Sequence, residues 1–391
     1  MRSRLIFSAL PSLTSTDKSV CATLALVLFF IVGCHHETSH ATVSKKATSE
    51  PEFESLPSRN AYAGSASCKE CHEKDYERWS QDWHARALAS ANPKSVAGDF
   101  GSRHFRGESS EAWMSRKGET FVMRTRNREG QLADYPVSWV IGGKRMQDSI
   151  TVMPDGRWQV LPVYFHVTGG GAWVDYNEAK QGHVTHDHPF FWTNFRRTVN
   201  KECLECHATG IDVRYDRAAH TGSTELTDAG VACEACHGPG ARHAETKEKR
   251  DIVRPDHIDK ELAISICARC HGPRDPLFPL LDAKDQFRPG ERYDDRYQAL
   301  VITDGTERSG EYFADGRPSS STFETQALRQ SRCYRIGGVT CLTCHTAPHA
   351  EAHGDDELKH GARDASCRTC HDGIEALATA HTPNKNAACL T

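Results

Sequence analysis

Gly230-Val231-Ala232-Cys233-Glu234-Ala235-Cys236-His237-Gly238-Pro239-Gly240 holds the pattern on which the reading of the whole chain turns. Two cysteines stand three apart, and a histidine follows the second directly. On one helical turn, residues three and four apart share a face. Two thiols there meet the two vinyl groups of one porphyrin, and the adjoining imidazole turns onto the iron. The pattern recurs at Cys68, Cys71 and His72, at Cys203, Cys206 and His207, and at Cys267, Cys270 and His271. It appears again at Cys341, Cys344 and His345 and at Cys367, Cys370 and His371, so six copies absorb twelve of the 16 Cys. Zinc also favours Cys-x-x-Cys, but a tetrahedral site of that kind needs two such pairs and gives no reason for a His after each one. Redox dithiols and disulfides meet the same objection. The pattern predicts six covalently attached c-type haems.

Composition agrees with a core of that kind. The 391 residues are only 38% hydrophobic and 8% aromatic, with 26% charged and a mean hydropathy of -0.60. Aliphatic side chains alone would make a thin core with many loops. Haem supplies the missing apolar mass.

The N-terminus points to export. Arg2, Arg4 and Lys18 precede an apolar run of thirteen residues from Val20 to Val32, a signal-peptide pattern. That run is short for a membrane span. It ends Ile31-Val32-Gly33-Cys34, a bacterial lipoprotein box in which Cys34 becomes the lipidated first residue. Residues 1–33 are read as the leader and 34–61 as a polar, flexible tether with a random-coil reach on the order of 30 Å. Its His35, His36 and His40 are read as solvated. Removing the leader takes the net charge from -4 to -6, and haem propionates add to it, so nucleic acid is excluded as a partner. The expected location is the periplasmic or outer-surface side of a membrane, held by lipid at Cys34.

Residues 62–391 form the expected hexahaem domain. The first attachment segment stands alone, 131 positions before the second, and the other five lie within about 170 residues, too uneven for a solenoid. Cys68 to Ala89 lacks Gly and Pro and is predicted to be helix, with Trp79 and Trp83 as aromatic contacts. Between the first and second sites, β-branched and aromatic runs alternate with turn signals such as Glu129-Gly130 and Pro154-Asp155-Gly156. They predict a small antiparallel β insertion at about 118–168, acting as scaffold and shield. The expected fold is mostly α with extensive loops, built around clustered haems.

At this point the chain resembles the cytochrome c-552/4 (cytochrome c-554-like) family of multihaem cytochromes. The resemblance rests on Tyr62-Ala63-Gly64-Ser65, Trp83-His84-Ala85, the quoted Gly230–Gly240 stretch, Gln330-Ser331-Arg332-Cys333-Tyr334 and Gly338-Val339-Thr340 before Cys341. It covers most of residues 60–375. Similar chains often read Cys-His-Asp-Pro-His near the fifth site. Here Cys344-His345-Thr346-Ala347-Pro348-His349 carries one inserted residue.

Thirteen His remain in the folded part beyond the six proximal ones and the three of the tether. The resemblance and the Gly-Pro-Gly-x-x-His arrangement favour His84 and His243 as distal iron ligands, and the modified motif adds His349, with His353 as its rival. His360 and His381 flank the sixth site. The sixth distal ligand is open among His104, His220 and His257. His84 stands twelve positions after His72, about 18 Å along a helix, so it is expected to reach a neighbouring haem. His166 is read as structural. His183, His186 and His188 sit in a loop without a thiol or carboxylate framework for a metal. Cys333 and Cys389 either pair or stay free, Cys333 buried and Cys389 exposed.

Two functions fit. With His on both faces of each iron, the chain is an electron carrier between redox proteins or to a membrane redox complex. With one iron lacking a distal ligand, it is an oxidoreductase acting on a small nitrogen compound such as nitrite or hydroxylamine. The supply of histidines favours the carrier, with no catalytic residue assigned.

Overall fold

The computed structural model describes residues 61–177, 182–200, 203–272, 287–297, 324–350, 358–359 and 363–371. The expected leader, the tether, Cys34, His353, His360, His381 and Cys389 lie outside the described residues. Those residues all fall in one unit, Glu54–Thr391.

Helix α1, Ser65–Lys69, carries the first Cys68, and α2, Glu73–Gln81, follows it. The single helix expected over Cys68 to Ala89 is thus broken at His72, whose ψ of 46° leaves the helical region. It stops at Gln81 because Asp82 is extended. Nine strands come next: β1 Leu88–Ser90, β2 Arg103–Arg106, β3 Glu111–Lys117, β4 Thr120–Arg126, β5 Leu132–Pro136, β6 Trp139–Gly142, β7 Met146–Val152, β8 Trp158–His166 and β9 Ala172–Asp175. They form an antiparallel five-stranded sheet, β1-β6-β7-β8-β9, and an antiparallel four-stranded sheet, β2-β3-β4-β5.

The alternation of side chains along each strand builds the core between these sheets. Ala112, Met114, Phe121 and Met123 from the smaller sheet bury against Val140, Leu161 and Val163 from the larger, with Phe191 and Trp192 closing the layer. A second cluster ties the larger sheet to the second attachment segment. Leu88, Ile141, Ile150, Trp158 and Val160 pack on Val199, Leu204 and Ala208. The sheet therefore shares its core with a haem segment rather than standing apart.

Helix α3, Leu204–His207, runs straight into β10, Ala208–Asp216, which pairs with β11, Thr221–Ala229, as a two-stranded antiparallel ribbon. Gly156, in the β7–β8 turn with φ 81°, lies where an added Cβ would fall 1.8 Å from the Gly222 carbonyl oxygen, so the turn presses directly on this ribbon. The remaining helices are α4 Cys233–His237, α5 Ala241–Thr246, α6 Lys260–His271, α7 Glu324–Gln330, α8 Arg332–Arg335, α9 Cys341–Cys344 and α10 Arg363–Arg368. The longest, α6, starts on a cap in which the Asp259 carboxylate accepts from the Glu261 amide at 2.8 Å.

The expectation of a mostly α chain is overturned. Among the described residues eleven strands in three antiparallel sheets stand beside helices that are mostly four to seven residues long. The strand-bearing region also exceeds 118–168, running from Leu88 to Asp175 and resuming at Ala208. Two physical causes explain the miss. Several of the extra strands, such as Arg103–Arg106 and Thr221–Ala229, are largely polar and lack a sustained apolar period of two, whereas Glu111–Lys117 does bury alternate side chains. Each attachment segment also needs only one helical turn. Among the described residues no helix is long and apolar enough to cross a membrane.

Candidate functional site

Four of the six attachment segments make the same local bond, and the other two, at His237 and His271, end helices α4 and α6. The His amide donates to the carbonyl of the first Cys at 2.9 Å for His72, 3.1 Å for His207, 2.9 Å for His345 and 3.0 Å for His371. This i to i+4 closure sets the two sulfurs and the imidazole around one turn. Thr340 and Thr343 add a reciprocal capping box at the start of α9.

Long-range contacts then place three further histidines opposite proximal ones. His72 faces His243 with ring centroids 6.4 Å apart and planes at 30°. His237 faces His349 at 6.2 Å and 31°. His271 faces His84 at 6.3 Å and 64°. Two imidazoles on opposite sides of one metal, each bonded at about 2.0 Å, put their centroids about 6.3 Å apart. The donor set and spacing of all three pairs therefore fit one iron each. In every pair, the partner follows a different attachment segment from the one it faces.

The other nitrogen of several rings is held as well. His237 Nδ1 is 2.8 Å from the Val253 carbonyl oxygen, His207 Nδ1 is 3.0 Å from that of Ala87, and His243 Nδ1 is 2.9 Å from that of Glu248. Each carbonyl fixes the tautomer that leaves Nε2 for a metal. At the fourth site the acceptors are carboxylates: Asp82 Oδ1 is 2.7 Å from His84 Nδ1, and Glu324 Oε2 is 3.3 Å from His271 Nδ1. The hydrogen bond to Glu324 raises the pKa of His271 against the opposing effect of burial, whereas burial dominates at His237 and lowers it.

The segments themselves abut. Cys68 and Cys233 share a hydrogen bond, as do Cys267 and Cys341. Cys206 Sγ lies 3.7 Å from the Arg269 carbonyl oxygen, and Cys270 Sγ 3.9 Å from that of Cys206. Once haem is attached these sulfurs are thioethers and donate nothing, but the proximity persists. Cys236 and Cys267 lie close enough to interact electrostatically, and so do Cys344 and Cys370. The first site thus adjoins the third, the third the fourth, the fourth both the second and the fifth, and the fifth the sixth.

Residues outside the cysteines and histidines hold this arrangement. The buried Glu234, inside the third segment, accepts from the amides of Ala63 at 2.8 Å, Gly64 at 2.8 Å and Gly240 at 2.6 Å. Asp228 accepts from the amide of Ser65 at 2.9 Å and from its hydroxyl at 2.6 Å. Trp79 Nε1 donates to the Val231 carbonyl at 2.9 Å. Sequence reasoning did not single out Glu234, because the two positions between the cysteines carry no signal of their own.

The open alternatives for the sixth distal ligand sort by surroundings. His104 stacks on Trp113 at 4.6 Å with its Nε2 3.2 Å from the Glu111 carboxylate. His220 sits in the β10–β11 turn, its Nδ1 3.3 Å from the Tyr215 hydroxyl. His257 is flanked by Pro255, Asp256 and Ile258, which line a cavity of about 750 Å³ together with His345 and Leu342 of the fifth site. His166 Nε2 lies 3.3 Å from Thr168 Oγ1 and His188 stacks on Phe190 at 5.8 Å. Cys333 is exposed, correcting the buried position expected for it, because α8 is a single turn that leaves it at the surface.

Comparison with known proteins adds to this geometry. Residues 67–112 and 172–238 match the family model described as cytochrome c554 and c-prime. These matches take in the first three attachment segments. The chain is similar to the crystal structure of the outer cell wall cytochrome OcwA, at 19% identity with a TM-score of 0.53. That similarity covers 80% of this chain and 68% of OcwA. It is also similar to an undecahaem cytochrome from the S-layer of Carboxydothermus ferrireducens, at 20% identity, with a TM-score of 0.42 over 81% of this chain and 44% of that one. No curated protein matches the sequence. At these identities the likeness to OcwA speaks for the fold.

Proposed function

We propose that this chain, which is a multihaem c-type cytochrome, carries six haems and moves electrons between redox proteins outside the cytoplasm. The observation that carries the reading is the set of three imidazole pairs, His72 with His243, His237 with His349 and His271 with His84, each spaced for one six-coordinate iron. Low-spin haem held in this way supplies one-electron outer-sphere transfer and leaves no position for a substrate.

The chain's own residues do the rest. Cys68, Cys71, Cys203, Cys206, Cys233, Cys236, Cys267, Cys270, Cys341, Cys344, Cys367 and Cys370 attach the six groups. The Cys68–Cys233 and Cys267–Cys341 contacts would draw the first group to the third and the fourth to the fifth. His207, His345 and His371 are the remaining proximal ligands, with a further distal ligand drawn from His104, His220 and His257. His360 and His381 retain the role read from their positions beside the sixth site. Lipid at Cys34 and the tether would hold this body at a membrane surface, within reach of basic redox partners. The outer-cell-wall setting named for OcwA supports an extracytoplasmic location.

The test is a haem count joined to a spectrum. Intact mass after acid-acetone extraction should show six retained haems, and electron paramagnetic resonance of the oxidised protein should show low-spin iron alone. Four or fewer haems would overturn the stoichiometry. A stoichiometric high-spin signal in fully loaded protein would replace the carrier with the open-site oxidoreductase.

A further inference from the structure

The three facing pairs differ in what holds their outer nitrogens. At the first site His243 Nδ1 meets the Glu248 carbonyl at 2.9 Å, and His72 Nδ1 has the Asp75 carboxylate 3.9 Å away, beyond hydrogen-bond range. At the third site His237 Nδ1 meets the Val253 carbonyl at 2.8 Å, and His349 Nδ1 is also 3.9 Å from Asp75. At the fourth site both rings have carboxylates, Asp82 on His84 at 2.7 Å and Glu324 on His271 at 3.3 Å.

We infer that Asp82 and Glu324 set the iron held between His84 and His271 to a lower reduction potential than the irons at the first and third sites. The inference rests on the two-histidine ligation proposed above. A carboxylate accepting from Nδ1–H draws the proton outward and gives the ring imidazolate character, which makes it a stronger donor to oxidised iron. Its negative charge also favours the more positive oxidation state. Both effects act in one direction, and second-shell hydrogen bonding is an established lever on haem potential.

The two carboxylates are not equal. The Asp82 side chain is only 9% exposed, whereas that of Glu324 is 53% exposed and further from its ring. Solvent and salt screen Glu324 more, so Asp82 has the larger effect. The nearest opposing charge in the fourth segment is Arg269, which acts on Tyr62 and on Cys236 of the third site. Because Arg269 stands between Cys267 and Cys270, its charge also opposes the two carboxylates at the fourth site, and their hydrogen-bonded charges outweigh it in this inference. With the fourth site adjoining the second, third and fifth, the step down falls where these sites meet.

The test is a redox titration at fixed pH followed by visible and paramagnetic resonance spectra, on loaded wild type, Asp82→Asn, Glu324→Gln and the double variant. Asn and Gln keep an oxygen acceptor and remove only charge, so a purely structural role predicts no shift. His243→Met and His349→Met mark the steps of the first and third sites, because a Met/His pair raises the potential. The expected result is one step, below both marked steps, moving positive in each charge variant, more in Asp82→Asn and furthest in the double variant. No movement, or movement of a step lying above either marked one, overturns the inference. If Asp82→Asn fails to load, Glu324→Gln alone still has to move that lowest step. A high-spin fourth site in the wild type would instead defeat the ligation reading, a different signal from an unmoved low-spin step.

Discussion

His84 and His271 face each other with ring centroids 6.3 Å apart, although one follows the first attachment segment and the other ends the fourth. The contact depends on the break of the helix at Asp82. The chain turns there, and the His84 amide and ring both bond to the Asp82 carboxylate. The Val231 amide then donates to the His84 carbonyl at 2.8 Å, clipping this turn onto the start of the third segment.

Replacing His84 by Ala is expected to turn one of the six haems high-spin and open it to carbon monoxide, leaving five unchanged. The affected group should be the one on Cys267 and Cys270. Spectra of the oxidised and carbonyl forms check this, and an unchanged spectrum would remove His84 from the ligand set.

Gly230→Ala should reach the same iron without touching a ligand. Gly230 has φ 86°, and an added Cβ would lie 2.3 Å from the Ala85 carbonyl oxygen. The new methyl pushes on backbone that carries His84, while the left-handed conformation itself disfavours a side chain. A partial high-spin signal, smaller than that of His84→Ala, is the expected readout. A fully low-spin variant would show that the turn yields without moving the ring.

Glu234→Ala should destabilise the protein without altering the axial ligands. One buried and two part-buried amides would lose their acceptor, and a bond to a charged group contributes about 1.5–3 kcal/mol. Relaxation and water recover part, so a loss on the order of 3 kcal/mol is expected in denaturant unfolding. A change below about 0.5 kcal/mol, the range of ordinary surface substitutions, would deny Glu234 this role.

Cys34→Ser should release the protein from the membrane fraction with its haem content intact, since the expected lipid site stands more than thirty positions before the first attachment cysteine, Cys68. Retention in membranes after a high-salt wash would count against the lipid anchor.

How much of this was legible beforehand follows from the range of each interaction. Attachment is written within five consecutive residues, because both thiols and the proximal imidazole come from one helical turn. The pattern at Cys233, Cys236 and His237 therefore announces its chemistry without any tertiary knowledge. The sheet core around Met123 and Leu161 was visible in part, since residues 120–125, 137–141 and 158–167 are rich in β-branched and aromatic side chains and are separated by turn signals. The ribbon of Ala208–Asp216 and Thr221–Ala229 was not. Ile211, Val213 and Tyr215 do alternate with Asp212, Arg214 and Asp216 along its first strand, but Val213 and Tyr215 stay exposed and residues 221–225 carry no apolar side chain, so the ribbon is held mainly by main-chain pairing.

Which histidine faces which iron belongs to the tertiary structure alone. His243 reaches back to His72, His349 to His237 and His84 forward to His271, each across segments far apart in the chain. No local spacing encodes such a pairing. It arises where Glu234, Asp228 and Trp79 lock the first segment onto the third, and where the thiols of the fourth and fifth meet. The sequence by itself determined how many attachment segments the chain offers and what chemistry they hold, because covalent capture is local. Only the tertiary structure decided how the irons are paired, ordered and tuned, because those depend on side chains that folding alone brings within a few ångströms.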